Sequence, residues 1–177
     1  DNASEKLARE RGAFPNWKAS IYNNESKHFR GVQRLLRNAT RPTIAPTGTI
    51  SMISDCSSGV EPLFALSYVR TIAEGKELYV INENLKKILA KRKIYNEELM
   101  RKIIRQGSVQ NIDEIPEDIK KIFSVSYNIF PGLHVKMQAA FQKHVDNAVS
   151  KTVILPQFTN ADDVRKVYLM AYDSGCK

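Results

Sequence analysis

Residues 41–62 read RPTIAPTGTISMISDCSSGVEP: a short apolar run between prolines, then Thr47, Gly48, Thr49 and Ser51. Small hydroxyl residues at the carboxyl end of a strand candidate can make a tight turn that caps the next helix, or a cradle for an anion. The first amide groups of a helix have no internal partner and point outward as donors. Together with the helix dipole they favour an anion, and Thr or Ser hydroxyls add donors to phosphate oxygens. Gly48 lets a phosphate approach the backbone without a Cβ in the way. The Gly-Lys-Thr ending of a Walker loop is absent. On residue types alone the turn and the cradle both stay open.

Other chemistry-bearing residues are scattered. Cys56 and Cys176 lie far apart and form no metal-ligand spacing with His28, His134 and His144. A reduced, intracellular chain with no metal site is expected. Cys56 reads as a small packed residue and Cys176 as structural or incidental at a helix end. His134 opens a helix and can bond its backbone or a carboxylate, while His144 reads as a helix-surface residue. Glu61 is either a buried acid in a network, or a cap or ion-pair partner of an arginine such as Arg70. Asp146 and Asn147 are placed to order the turn into a following strand. The stripe Met137, Phe141 and Val145 reads as core.

The elements that must position these groups follow from periodicity. Residues 3–11 form a helix stopped by Gly12, and its brevity suggests an element that begins upstream. The loop GAFPNW offers Phe14 and Trp17 as anchors, and 25–37 suit a short amphipathic helix. PTIAP, 42–46, is a strand candidate whose prolines fit an edge or a short barrel strand. LFALSYVRTI, 63–72, and ELYVI, 77–81, form a hairpin across AEGK. Asn82 caps a helix to about residue 92 with Leu85, Ile88 and Leu89 on one face. A second helix runs 96–106 to Gly107, and a third starts with Pro116 in its first turn beside Glu117 and Asp118. A long helix over 133–149 puts Met137, Phe141, Val145 and Ala148 on one side, followed by a strand KTVILP, 151–156. Thr159 with Asp162 resembles a capping box. The last helix, 161–174, buries Val164, Val167, Tyr168 and Ala171, and Gly175 caps it. The order is α/β, helix-rich, in a single partial domain over 1–177 with a helical insertion at 82–125, cut at both ends.

The 177 residues, 42% hydrophobic and 26% charged, suit a globular chain with one core. No apolar run is long enough to span a bilayer, and the polar N-terminus is not a secretory signal. A net charge of +8 raises the question of nucleic acid. LKKILAKRK, MRKIIRQ and IKKIF, however, mix their charge with apolar positions at helical spacing, which reads as solvated helix faces. A basic helical binding module and a purely structural fragment are the rival readings. Basic charge also suits an enzyme of phosphorylated substrates.

Three long strings resemble one family. RNATRPTIAPTGTISMISDCSSGVEPLFALSYVR (37–70), HVKMQAAFQKHVDNAVSKTVILP (134–156) and DDVRKVYLMAYDSGCK (162–177) resemble the catalytic barrel of adenosylcobalamin-dependent (class II) ribonucleotide reductases. GAFPNW and SIY fit the segment upstream; the resemblance weakens at 23–36 and 80–125. It implies a fragment of a ten-stranded α/β barrel around a finger loop with a radical cysteine. In such enzymes adenosylcobalamin generates a thiyl radical that takes the ribose 3′ hydrogen, and two further cysteines supply electrons. By this resemblance Pro46, Thr47, Gly48, Thr49, Ile50 and Ser51 hold the diphosphate of a ribonucleoside diphosphate substrate. The family's Asn-x-Cys-x-Glu finger motif is absent from this sequence, so no catalytic residue and no cobalamin contact is assigned here, and the chain alone is expected to be inactive. The implied partners are the N-terminal remainder of the reductase and a thioredoxin-like thiol reductant, in the cytoplasm. The wording APTGTIS and DNAVSKT favours class II over class I, and diphosphate over triphosphate follows only from the subgroup resembled.

Overall fold

The computed structural model describes residues 2–71 and 77–177, with side chains outside 70–79. Helix α1, Asn2–Arg11, ends at Gly12, whose φ is +80°, a conformation open to glycine. Residues 34–38 run beside it: the Arg37 amide donates to the Ser4 carbonyl at 3.1 Å, and Arg34 pairs with Glu5 at 2.7 Å. Trp17 is half-buried and donates its indole N–H to the Arg34 carbonyl at 2.7 Å. The helix expected over 25–37 does not form. Asn23 and Ser26 side chains accept from the amides of Glu25 and His28, and Gly31 sits at φ +83°. Such local bonds offer the backbone an alternative to the helical ladder.

Helix α2, Gly48–Ile53, follows the apolar run. Strand β1, Ser67–Thr71, pairs antiparallel with β2, Glu77–Ile81, with Ser67 opposite Ile81 and Thr71 opposite Glu77. The pairing of the expected hairpin is therefore present, although β1 starts four residues late and the turn AEGK lies outside the described residues. Helices α3, Glu83–Lys91, and α4, Glu97–Gln106, begin at Asn82 and Asn96. Both asparagines act as N-caps. Their side chains accept from the amides of Leu85 at 3.0 Å and Leu99 at 2.8 Å. Gly107 closes α4 at φ +63°, the left-handed conformation common at helix ends. Helix α5, Glu117–Ile122, has Pro116 at its N-cap, one position earlier than the first turn.

The apolar core lies among these elements. Leu66, Leu85, Leu89, Leu99, Ile103, Val109, Ile112, Ile115 and Ile119 are each at most 2% exposed. The hairpin is bolted to this cluster by polar groups: Ser67 donates to the Ile103 carbonyl at 3.0 Å, and the Leu66 amide to the Gly107 carbonyl at 2.8 Å.

Helix α6, Pro131–Gln142, starts with proline, which is favoured at that position. It stops seven residues short of the expected end. The amides of Asp146 and Asn147 both donate to the Pro42 carbonyl at 3.2 Å, and the Gln142 side chain donates to the Asn147 carbonyl at 2.8 Å, so these groups are drawn away from the helix ladder. Helix α7, Ala161–Asp173, packs against α6. Its capping box is Asn160 with Asp163, one residue after the expected pair. None of the four residues expected to be buried on α7 is buried, and Tyr168 is 74% exposed. The stripe on α6 is likewise open: its buried side is Val135, Ala139, His134 and Gln142, while Met137 and Phe141 are exposed.

Of the expected strand 42–46 only Ile44 forms a bridge, parallel, to Val149, which lies ahead of the second expected strand. Residues 151–156 are extended without a ladder partner among the described residues. A strand exists only through its neighbours, so the described chain is helix-rich with one hairpin, and forms no closed barrel.

Replacing a fully buried residue of the cluster should be costly. Leu89→Ala is expected to lower unfolding free energy by about 2–5 kcal/mol. Ile122 is 70% exposed, and Ile122→Ala should change stability by no more than about 0.5 kcal/mol. Urea unfolding followed by circular dichroism reads both.

Candidate functional site

The run before the loop is held by Arg41. Its backbone amide and Nε both donate to Asp146 Oδ2, at 2.9 and 2.8 Å, and its Nη2 reaches Oδ1 at 3.2 Å. The guanidinium also lies over the Tyr22 ring, 5.8 Å from the centroid, within reach of a cation–π attraction. Beyond it Thr43 donates to the Ala148 carbonyl at 2.9 Å, and the Ser150 amide to the Ile44 carbonyl at 2.8 Å. Asn147 donates to Thr40 Oγ1 at 3.2 Å. Asp146 and Asn147 thus order the entry to the second run, as expected.

The chain then turns sharply. Thr47 sits at φ 53°, ψ 26°. A β-branched residue adopts this left-handed conformation only when its surroundings hold it there. Of the six residues expected to form the loop, Pro46, Gly48, Thr49 and Ile50 are exposed, Thr47 is half-buried, and Ser51 is buried at 6% exposure. A Cβ on Gly48 would meet no atom within 4 Å, so its surface is open. The hydroxyls differ in what they do. Ser51 donates to the Gly48 carbonyl at 3.2 Å, and Thr47 Oγ1 lies 3.3 Å from Ser58 Oγ. The Thr49 hydroxyl has no hydrogen-bond partner among the described residues.

Behind the loop, Ser58 donates to the Pro46 carbonyl. The Glu61 amide returns to the Ser58 carbonyl at 3.0 Å. The Glu61 carboxylate pairs with Lys151 Nζ and accepts the Thr152 amide at 2.6 Å. Lys151 also donates to the Thr152 carbonyl at 2.9 Å, and its side chain is 1% exposed. The acid therefore combines a network role with an ion pair, and its cation among the described residues is Lys151; the Arg70 side chain lies outside them. Nearby, His134 is buried with Nε2 3.3 Å from the Ser126 carbonyl. His144 is exposed as expected, but in the turn after α6 rather than on a helix. Cys56 is exposed rather than packed, because the chain leaves α2 just before it; Cys176 is half-buried, and burial raises its thiol above the ordinary value.

Ser58, Lys151 and Arg41 were not singled out by sequence reasoning. Lys151 carried a signal, since a lysine at the head of an apolar run must find a partner when buried. Ser58 carried none beyond its place among small residues.

The ribonucleotide reductase, barrel domain, family matches residues 2–177. Over 175 residues the chain is 43% identical to the vitamin B12-dependent ribonucleoside-diphosphate reductase of Thermoplasma acidophilum, a match covering 99% of this chain and 22% of that protein. It is 39% identical to the similarly named protein of Mycobacterium tuberculosis strain H37Rv, across 99% of this chain and 24% of that one. Among solved structures, the class Id ribonucleotide reductase alpha subunit of Actinobacillus ureae aligns with a TM-score of 0.71 at 24% identity, covering 99% of this chain and 29% of that one; this establishes likeness of fold. The chain thus spans about a quarter or less of the length of these curated relatives.

Two titrating groups at these contacts set the response to acid. Burial would lift the Asp146 carboxyl, but the Arg41 hydrogen bonds and charge outweigh it and hold the group below the ordinary carboxylate value. Its contribution is present above the unfolded-state value, about 3.9, and is lost as pH falls through the depressed folded value. Burial, then the Lys151 ammonium, push the His134 imidazole down against the Ser126 carbonyl. The unfolded chain therefore binds the extra proton first, and stability falls as pH drops below about 6.5. Asp146→Asn should destabilise at neutral pH by an amount that shrinks below about pH 4, and His134→Gln should flatten the slope just below about pH 6.5. Thermal melts across pH check both signs.

Proposed function

This chain belongs to the ribonucleotide reductase family through its barrel domain, and from that premise we propose that it holds the substrate diphosphate in a vitamin B12-dependent ribonucleoside-diphosphate reductase. The observation that carries the reading is the open Gly48–Thr49 surface at the end of the Arg41-anchored run. Gly48 presents backbone without a Cβ, and Thr49 presents an unengaged hydroxyl. Hydrogen bonds to a charged acceptor such as phosphate are stronger than neutral ones. The names of the relatives from Thermoplasma acidophilum and Mycobacterium tuberculosis support both the cofactor class and the diphosphate level.

In this reading Pro46, Thr47, Gly48, Thr49, Ile50 and Ser51 form the substrate loop, with Thr49 the donor and Ser51 a buried support. Residues 82–125 are a helical insertion in a partial barrel domain completed by the rest of the reductase. Replacing the ribose 2′-hydroxyl by hydrogen releases water and oxidises two thiols to a disulfide, so a dithiol or thioredoxin-like protein must supply the electrons. Adenosylcobalamin, when bound, supplies the radical chemistry. No group of three or more His, Cys, Asp or Glu among the described residues is placed to hold a metal ion, and no step is assigned to this chain through the cofactor. The chain alone is inactive in this reading, and the enzyme is cytoplasmic; no helix among the described residues is long and apolar enough to cross a membrane.

A nucleic-acid role for the basic helices finds less support. Lys86, Arg92, Arg101, Lys102 and Lys120 each pair with a carboxylate, which neutralises much of the local field.

In the complete enzyme, assayed for dCDP from CDP with adenosylcobalamin and dithiothreitol, Thr49→Val should raise KM for CDP about tenfold or more, the loss of one charge-assisted bond. An unchanged KM would leave the loop a structural turn. No turnover by the folded wild type would sink the reductase reading itself.

A further inference from the structure

We propose that Ser58 is a positioning residue for the substrate loop: through Pro46 and Thr47 it fixes the turn so that Thr49 alone offers a hydroxyl proton to the ligand. The inference rests on the diphosphate reading above.

A serine hydroxyl carries one proton. Ser58 Oγ stands against the Pro46 carbonyl oxygen, which only accepts, and against Thr47 Oγ1 at 3.3 Å. Its proton goes to the carbonyl. The Thr47 hydroxyl is then the donor in the second contact, with Ser58 Oγ accepting. Ser51 directs its own proton to the Gly48 carbonyl. Two of the three loop hydroxyls are therefore engaged inside the protein, and among these hydroxyls Thr49 is the one left to donate to a phosphate. The same pair of bonds holds Thr47 in its left-handed conformation from the side chain as well as the backbone.

Ser58 is itself held in place from two sides. Gly59 follows at φ +52°, where an added Cβ would stand 3.3 Å from Ile44 Cγ2 and 3.4 Å from the Ala45 carbonyl, so the turn passes close behind the run that carries the loop. Two residues on, Glu61 clamps to the buried Lys151 and to the Thr152 amide. The segment 58–61 thus ties the loop to the second extended run.

The test is a double-mutant cycle in the complete enzyme, with CDP as the varied substrate. Ser58→Ala removes both the Pro46 and the Thr47 contact, and Thr47→Val removes the second of these from its other end. Ser58→Ala should raise KM about fivefold and Thr47→Val by no more than that, each with kcat kept within about twofold, and together they should do no more than Ser58→Ala alone. Ser58→Thr, which keeps the hydroxyl, should stay within about twofold of wild type in KM. Additive effects would mean that Thr47 meets the ligand directly and would overturn the proposal. So would a wild-type KM for Ser58→Ala beside a raised KM for Thr49→Val, an outcome that leaves the loop reading standing. If Thr49→Val also leaves KM unchanged, the loop reading fails and this inference with it. Loss of kcat and melting temperature without a change in KM assigns Ser58 a structural role only and overturns the proposal. Should Ser58→Ala fail to fold, Glu61→Gln loosens the same segment from its far anchor, and an unchanged KM there overturns the proposal equally.

Discussion

Arg41 meets Asp146 through its backbone amide as well as its guanidinium, and this contact fixes how the run before the loop lies beside the run after α6. A point contact between side chains would leave the two runs free to slide. Adding the backbone amide sets the register, and the Ile44–Val149 bridge follows a few positions on. Parallel neighbours need a long connection between them. The hairpin and the helices α3 to α5 are that connection, so their placement depends on this register even though their packing does not.

Stability and the candidate site are separated in space. The apolar core belongs to α3, α4, α5 and the segment leading into the hairpin, where aliphatic side chains are almost wholly withdrawn from water. The loop at 46–51 has little such burial and is held instead by polar links: Ser58, Glu61, Lys151 and the strand-like contacts behind them. Polar links are directional, so they can hold an unfavourable backbone angle such as that of Thr47, which non-directional burial cannot do. The proposed diphosphate loop would need this division, since its donors must face water until a ligand arrives.

Lys151 with Glu61 shows how a buried charge is tolerated. The lysine side chain is almost fully enclosed, yet its ammonium meets a carboxylate and a carbonyl, and the carboxylate also receives a backbone amide. Removing either partner would strand a charge away from water. The nearby His134 answers to the same ammonium, which helps keep its imidazole neutral. Acid sensitivity, ion pairing and loop support thus converge on the residues that join the two extended runs.

Much of this was legible in the sequence wherever the controlling interaction is local. Asn82 and Asn96 as caps, Gly107 as a helix stop and the hairpin pairing depend on bonds within a few residues, and the family resemblance in 37–70 and 134–156 rests on residue identity. Features that depend on distant partners were not legible. The residues 25–37 have helical periodicity, but the amides of Arg30, Arg34 and Arg37 donate to the carbonyls of Ile21, Tyr22 and Ser4 instead. Helix α6 ends early because Pro42 claims the amides of Asp146 and Asn147, and 151–156 read as a strand but has no described neighbour to pair with. The apolar faces of α6 and α7 are periodic, yet periodicity says which residues share a side, not what covers it. At the loop the sequence determined that small hydroxyl residues follow an apolar run. Only the tertiary structure decided which hydroxyl is left to donate, because the Thr47 hydroxyl is engaged by Ser58, brought back against it by the following turn.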